Sequence, residues 1–460
     1  MMRHEISFHR FLLLISLLVG APMSVSVAQE IEYTRYQLDN GLTVILHQDK
    51  SVPLVAVNLW YYVGSKDEPV KRSGFAHLFE HLMFMGTENV PYPQFDQTME
   101  RYGGSNNATT SSDRTNYFER GPKELLDLFL FLEADRMAGL GKAMTLDKLN
   151  AQREVVRNER RQRYENQPYG RVQTVLPHLL YPKGHPYREP VIGSHEDLEA
   201  ATVDDVKRFF EQFYFPANAS LVVGGDFEVD EAKRLVEKHF GSLGNAPGLK
   251  RAEPKAAELT SVVRETMTDA VELPLVISAW HSPGFYQAGD ADLDVLADCL
   301  SGGKSSRLYK RLVYEKRLAQ SVQAYQLSRL LGSEFRVAVF VRPGVSLDEV
   351  EAEVDSILET VRSEGPTDRE VARARNTIET MFWRELEGLG RRVDLLNRYQ
   401  FYYGDPGALA RDRERYDAVT RDSVQKWAQE VLKPSRRVVF RVVPESESDG
   451  QAAPAPATGE

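Results

Sequence analysis

Two stretches of this chain repeat each other at a nearly constant spacing. Thr202 to Phe210 (TVDDVKRFF) is matched by Thr420 to Ala428 (TRDSVQKWA), and Pro216 by Pro434, both 218 residues further on. Pro53-Leu54-Val55 is matched by Pro274-Leu275-Val276 at an offset of 221. Three anchors at nearly one spacing indicate an internal duplication, which restricts the chain to two copies of one architecture. A chain of 460 residues is in any case too long for one ordinary hydrophobic core. The Pro-, Gly- and charge-rich run 246–260 reads as the linker, so the units expected are 29–245 and 261–445. The Ser-, Ala- and Pro-rich end, 446–460, is expected to be disordered.

Within each unit strands alternate with helices. Residues 31–49 read as a hairpin around Asn40-Gly41, and Val52 to Val63 as a long central strand. A helix is predicted over 91–104, then a polar, small-residue strand from Ser105 to Thr110, a strand carrying Tyr117-Phe118, and an amphipathic helix from Leu125 to Met137. Thr202 to Phe215 reads as a helix and Ala219 to Gly225 as a strand. The fold class expected is α+β.

One segment stands apart chemically. Ser73 to Gly86 (SGFAHLFEHLMFMG) reads as a helix with Ser73 as N-cap and Gly86 just past its C-terminus. It is apolar on nearly every side, so it is expected to be buried, yet it carries His77, Glu80 and His81. Unpaired, such groups would be costly to bury. His77 and His81 lie one turn apart on one face and can grip one metal ion, zinc suiting imidazole nitrogen best. Glu80 can overhang the same ion and take a proton from an attacking water. H-x-x-E-H is the reversed zincin order.

A second helix, capped by Thr145, places Leu149, Gln152, Val156 and Glu159 on one face. Glu159 is therefore the inward carboxylate and the candidate third metal ligand, whereas Glu154 points elsewhere. Arg160, Arg161 and Arg163 read as solvated or ion-paired neighbours. Carried forward by 221 residues, His77, Glu80 and His81 meet Asp298, Ser301 and Gly302, so one metal site is expected per chain, not two. Gly302-Gly303-Lys304-Ser305 lacks the glycine a phosphate loop needs five residues earlier, where Asp298 stands, so nucleotide binding is rejected.

The net charge of −10 argues against nucleic acid as a partner. Arg3 and Arg10 precede an apolar run, Phe11 to Ala21, too short to span a bilayer. Ser26-Val27-Ala28 ends it with small residues, so 1–28 reads as a signal peptide cleaved after Ala28, with no stable membrane span and a periplasmic location. Cys299 is the single cysteine, so no internal disulfide forms and no cysteine cluster binds metal.

The pair H77-L-F-E-H81 and Q152-R-E-V-V-R-N-E159 resembles the pitrilysin/insulinase family of zinc metallopeptidases, in particular its short-chain branch. N-G-L at 40–42, G-G-S-N-N-A-T-T at 103–110, G-H-P-Y at 184–187 and S-S-R-L-Y at 305–309 extend the resemblance over most of the chain. It implies two homologous domains, each a mixed, mostly antiparallel sheet packed with helices, together forming half of a clamshell. It implies zinc on His77, His81 and Glu159, Glu80 as general base, and substrate main chain held by Asn107 and Ala108. Gln152 stands where many relatives have glutamate and is expected to orient a ligand by hydrogen bonding. The Arg and Tyr that active members place seven apart in the C-terminal half are replaced by Val313 and Gln320. The function implied is an exported zinc endopeptidase acting on peptides or unfolded polypeptides. A homologous second subunit carrying the Arg/Tyr pair is the expected partner, with a homodimer as the alternative. The competing function is a non-catalytic, peptide-holding or structural subunit of the same fold, which would not need Glu80 beside an intact ligand set.

Overall fold

Eleven strands among the described residues make two sheets. The structure is a computed structural model and describes residues 30–245, 249, 251 and 257–445. The signal-peptide reading of 1–28, most of the linker reading and the C-terminal tail reading therefore lie outside the described residues.

The first sheet contains β1 (Thr34–Gln37), β2 (Thr43–Gln48), β3 (Leu54–Tyr61), β4 (Ser105–Thr110), β5 (Thr115–Pro122) and β6 (Ala219–Gly225) in the order β1-β2-β6-β3-β5-β4. Only β2 and β6 run parallel. Its helices include α1 (Phe75–Leu82), α2 (Gln94–Tyr102), α3 (Leu126–Ala143), α4 (Leu146–Arg160), α5 (Val172–Leu180) and α6 (Val203–Phe213). The second sheet contains β7 (Val263–Asp269), β8 (Leu275–Ser282), β9 (Ala319–Leu327), β10 (Ser333–Val341) and β11 (Val438–Pro444) in the order β7-β11-β8-β10-β9. Again one pair, β7 and β11, is parallel and the rest antiparallel. Read outward from the parallel pair the two sheets have one topology, which is the duplication made visible. The helices of this half include α7 (Asp290–Ser301), α8 (Leu347–Glu364), α9 (Asp368–Glu387), α10 (Leu389–Tyr403) and α11 (Arg421–Val431). Thr202 and Thr420 cap α6 and α11 with the same capping box.

The topology corrects one offset. The N-cap glycine of α1 follows the start of β3 by 20 residues (54 to 74), that of α7 follows β8 by only 14 (275 to 289). Counted from those caps, His77, Glu80 and His81 face Asp292, Val295 and Leu296, not Asp298, Ser301 and Gly302. No imidazole stands at these positions in either register.

Alternating residues of β3 (Val55, Val57, Leu59, Tyr61) pack with Phe75, Leu78, Phe79 and Leu82 of α1 in the main core of the first half. The other face of that sheet, Ile45, Ala56 and Val222, is covered by Val393 and Leu396 of α10, a helix of the second half. The converse holds as well: Leu275, Ile277, Ala279, Phe440 and Val442 of the second sheet pack with Val172, Leu176 and Leu180 of α5, a helix of the first half. Each half thus lends a helix to its twin, and the described residues from Ile31 onward pack as one compact unit. Polar bonds pin the exchange. The fully buried Asn397 donates to Asn58 O at 2.8 Å and accepts from Ser220 Oγ at 2.6 Å, and Asn58 Nδ2 donates to Asp394 Oδ1 at 3.1 Å.

The ends of α1 also differ from expectation. The N-cap is Gly74 (φ 87°), not Ser73. A Cβ at 74 would sit 2.7 Å from Ile192 O, so glycine is required twice over. The free N–H groups of Gly74 and Ala76 are taken by the buried Glu68 carboxylate at 3.0 and 2.8 Å, and Ser73 Oγ donates instead to Asp197 at 2.5 Å. The helix stops at Leu82, and Gly86 (φ 73°) turns the chain back to a bridge with Pro91.

Asn397→Ala strands the buried Ser220 hydroxyl and is expected to cost about 1–3 kcal/mol of stability. Because each sheet is covered by the other half's helix, urea unfolding followed by tryptophan fluorescence and by circular dichroism should show one shared transition. Two separated transitions would contradict the exchange.

Candidate active site

The residues that could hold a metal come from two helices whose contact is dictated by burial. Both α1 and α4 press apolar residues (Leu78, Phe79 and Leu82; Leu149 and Val156) into one core. The face of α4 that carries Leu149 and Val156 also carries Glu159, which brings it to the two histidines of α1. Glu159 Oε2 lies 3.3 Å from His81 Nε2 and 3.7 Å from His77 Nε2. The imidazoles stand edge to face with centroids 4.9 Å apart. One donor atom from each of His77, His81 and Glu159 falls within 4.8 Å of the others, and this is the one such cluster among the described residues. Glu154, on another side of α4, faces out and pairs with Arg157 at 2.8 Å.

Electrostatics favours neutral imidazole and ionised Glu159. Burial, assisted by the neighbouring His81, pushes His77 down to about 4, against the pull of Glu159. The hydrogen bond with His81 holds the Glu159 carboxyl below its usual range. Arg163 pairs with the other oxygen, Oε1, at 2.6 Å, so Glu159 Oε2 remains for the histidine side. Of the three arginines read as neighbours, Arg163 is thus a direct partner of the site, while Arg160 pairs with Glu165 and Arg161 with Asn158. Two imidazole nitrogens and a carboxylate oxygen converging in this way suit a zinc ion.

Glu80 points to a different neighbour. Its Oε2 accepts from Thr110 Oγ1 at 2.5 Å, and burial raises its pKa against that bond. Thr110 is the last residue of β4, so the helix and the edge strand are joined at Glu80. Gln152 does not do what was expected of it. Its amide nitrogen lies 2.9 Å from Met85 Sδ, and His77 Nδ1 is buried with no partner among the described residues. The reason is length: Gln152 sits two helical turns before Glu159, level with Met85, where the chain has already left α1.

β4 is the last strand of its sheet, and Asn107 and Ala108 lie on it. The bond from Ser111 N to Arg114 O at 2.9 Å sets the phase of the β4–β5 ladder. Counting back by twos, Ser105, Asn107 and Thr109 bond to β5, whereas Asn106, Ala108 and Thr110 direct N–H and C=O to the open edge. The Ala108 N–H is capped meanwhile by Asn107 Oδ1 at 2.9 Å, which blunts an otherwise open edge.

The turn between β4 and β5 is fastened by residues that sequence reasoning missed. The buried Asp113 accepts from the Tyr187 hydroxyl at 2.6 Å and from Leu330 N at 2.9 Å, and Tyr187 Oη accepts from Leu331 N at 2.9 Å. Lys66 Nζ donates to Asp113 O at 2.7 Å. Leu330 and Leu331 belong to the β9–β10 connection, so equivalent hairpins of the two halves meet at Asp113. The G-H-P-Y motif was the only sequence signal for Tyr187; Asp113 gave none. Val313 is half-buried against the second core and Gln320 is exposed on β9.

Comparison with known proteins agrees with this geometry. Residues 43–189, which hold the whole cluster, match the family model described as insulinase (peptidase family M16), and residues 200–378 match the peptidase M16 inactive domain. Zinc protease PqqE of Helicobacter pylori is 32% identical over 401 residues, 84% of this chain and 88% of that protein. The chain belongs to the insulinase family of peptidases, M16. An uncharacterized zinc protease of Bacillus subtilis, YmxG, is 26% identical over 86% of this chain and 95% of its own. The crystal structure of a protease from Helicobacter pylori superposes with a TM-score of 0.82 at 28% identity, over 90% of this chain and all (100%) of that one. The periplasmic protease PqqL from Escherichia coli shares the fold, with a TM-score of 0.76 at 18% identity, over 92% of this chain and 49% of that one. No helix of the described residues is long and apolar enough to cross a membrane.

One zinc per chain is expected by metal analysis of the purified protein. Glu159→Gln removes the charged ligand and should lower zinc retention, at least about tenfold by chelator competition, while Glu154→Gln should leave it unchanged. The reverse order would reject the assignment of α4.

Proposed function

We propose that this chain is the zinc-binding half of an exported endopeptidase that cuts peptides or unfolded polypeptides, with Glu80 as general base. The observation that carries the proposal is the convergence of His77, His81 and Glu159 within 4.8 Å, with Glu80 tied to the end of an open sheet edge. Bound by these three residues, zinc would acidify water and polarise a peptide carbonyl. Glu80 stands outside the ligand set. It takes a proton from the attacking water and returns it to the leaving amine. Burial raises the affinity of Glu80 for that proton, and the Thr110 hydroxyl orients the carboxylate.

Substrate enters as an added strand. Asn106, Ala108 and Thr110 offer their main-chain groups, and Asn107 must give up its bond to the Ala108 N–H. Only an extended chain can pair in this way, so a compact folded protein is a poor substrate. Export is supported by the charged and apolar start of the sequence. A chain that only held peptide would have no use for a carboxylate poised between a metal cluster and the substrate edge, which favours the catalytic reading over a non-catalytic subunit.

The site is short of one function. A developing oxyanion needs a donor, and the loss of one costs about a hundredfold in rate or more. Val313 has no polar side-chain group and Gln320 replaces a tyrosine. A second, different chain carrying Arg and Tyr at these positions would complete the site, whereas a homodimer would repeat the deficit.

Glu80→Gln should keep its zinc and lose hydrolysis of an unfolded peptide by about a hundredfold or more; a variant that still turns over would remove Glu80 from the mechanism. The wild-type chain purified alone should cleave the same peptide far more slowly than the extract it came from, with rate restored by the separated extract fraction. Rapid zinc-dependent cleavage by the pure chain would show that no partner is required.

A further inference from the structure

Next to the edge strand, on the face of the sheet turned away from α1, lies a cavity of about 500 Å³. Its floor is made by Ala56 and Asn58 of β3, Asn116, Phe118 and Arg120 of β5, and Thr109 of β4; its far wall is the α9–α10 corner with Glu385, Arg391, Asp394 and Arg398. The proposed substrate site does not account for it.

The charges of the cavity are unequal. Glu385 is neutralised by Arg398 at 2.6 Å, and Asp394 accepts from Asn58. The side chain of Glu119 is fully buried and turned to Arg136. The charge of Asp394 acts on the half-buried Arg114, so two guanidiniums, Arg120 and Arg391, are left over. Arg114 donates to Thr109 O and Asn116 Oδ1, Arg391 to Arg384 O, and Arg120 lies over the Phe118 ring. Among the described residues none of the three is in a salt bridge. Gly390 keeps room for one of them, since a Cβ there would come within 3.1 Å of Arg120 Cδ.

Strand geometry connects this cavity to the substrate. Ser105, Asn107 and Thr109 are exposed and point to the cavity face, opposite to the face on which Ala108 is buried and Thr110 meets Glu80. A strand added to β4 sends every second side chain to the same face, directly beside Ser105, Asn107 and Thr109. One strand further in, about 10 Å from the added chain, lies Arg120, opposite Ser105 in register. Long side chains on both partners span that separation.

Resting on the strand-addition reading above, we propose that this cavity is a specificity subsite for acidic side chains of the substrate. Aspartate or glutamate at alternate positions of the bound segment meets Arg120 and Arg391 on the cavity face. The side chains in between face the zinc helix and are not selected by charge. The preferred substrates are then extended peptides carrying an Asp/Glu-x-Asp/Glu pattern, and runs of lysine or arginine are disfavoured.

The test is a binding measurement on the full, zinc-loaded chain carrying Glu80→Gln, so that nothing is consumed. Three fluorescein-labelled ten-residue peptides that differ only in Glu-x-Glu, Gln-x-Gln or Lys-x-Lys are titrated by anisotropy at low and at moderate salt. The acidic peptide should bind about tenfold more tightly than the lysine peptide, with the gap narrowing as salt rises. Charge reversal by Arg120→Glu with Arg391→Glu, at two exposed positions, should abolish or invert the preference without altering zinc content. Equal binding of all three peptides, or a preference that survives the reversal, overturns the subsite and leaves strand addition standing. Failure of every peptide to bind overturns strand addition and the subsite together.

Discussion

Everything at the site depends on the burial of α1. Two imidazoles and a carboxylate on an apolar helix would be expensive in a closed core, and the fold meets that cost in three different ways. His77 is driven toward its neutral form by burial, His81 faces the ionised Glu159, and Glu80 is tied to a threonine hydroxyl. The helix N-terminus itself is satisfied by Glu68, a buried carboxylate from the preceding connection rather than a residue of the helix. The arrangement leaves nitrogen and oxygen donors within one small volume, a geometry that suits a metal ion.

The second dependency is mechanical. An open edge strand, unpaired on one side, needs to be held from behind. Here β4 is held at both levels: Thr110 is bonded to Glu80, and the turn beyond it is anchored through Asp113 to Tyr187 and to the β9–β10 connection of the second half. Asn107 covers the free N–H of Ala108 in the meantime. The second half is therefore a structural support of the candidate site. It supports the edge strand β4, and it covers the back of the sheet from which that strand projects.

Exchange of helices between the halves explains how a duplicated chain becomes one body. α10 closes the first sheet and α5 closes the second, so neither sheet has a complete core from its own half. The corner between α9 and α10 also forms the wall of the arginine-lined cavity, which places elements of both halves beside the same open sheet edge.

The convergence of His77, His81 and Glu159, the place of Glu80 beside them and the duplication were legible in the sequence because each is a local pattern. H-x-x-E-H is five residues of one helix, the inward face of α4 follows from a 3.6-residue period, and the repeat survives in capping boxes and strand starts. Asn107 and Ala108 were legible as part of a polar, small-residue strand, and the fold places them on a sheet edge. What tertiary structure alone decided are the features whose partners lie far apart in the chain. Glu68, not Ser73, caps α1 because a carboxylate from another turn happens to reach its free N–H groups. Gln152 meets Met85 rather than a ligand because the chain bends away after Leu82. The shorter connection before α7 shifts the equivalence of the two halves by six residues, which no fixed offset could reveal. Asp113 carries no motif, and its importance arises only when Tyr187 and Leu330, 74 and 217 residues away, fold against it. Local periodicity encodes which face of an element is buried; it does not encode which distant element is buried against it, and that pairing is what builds the joint between the two halves.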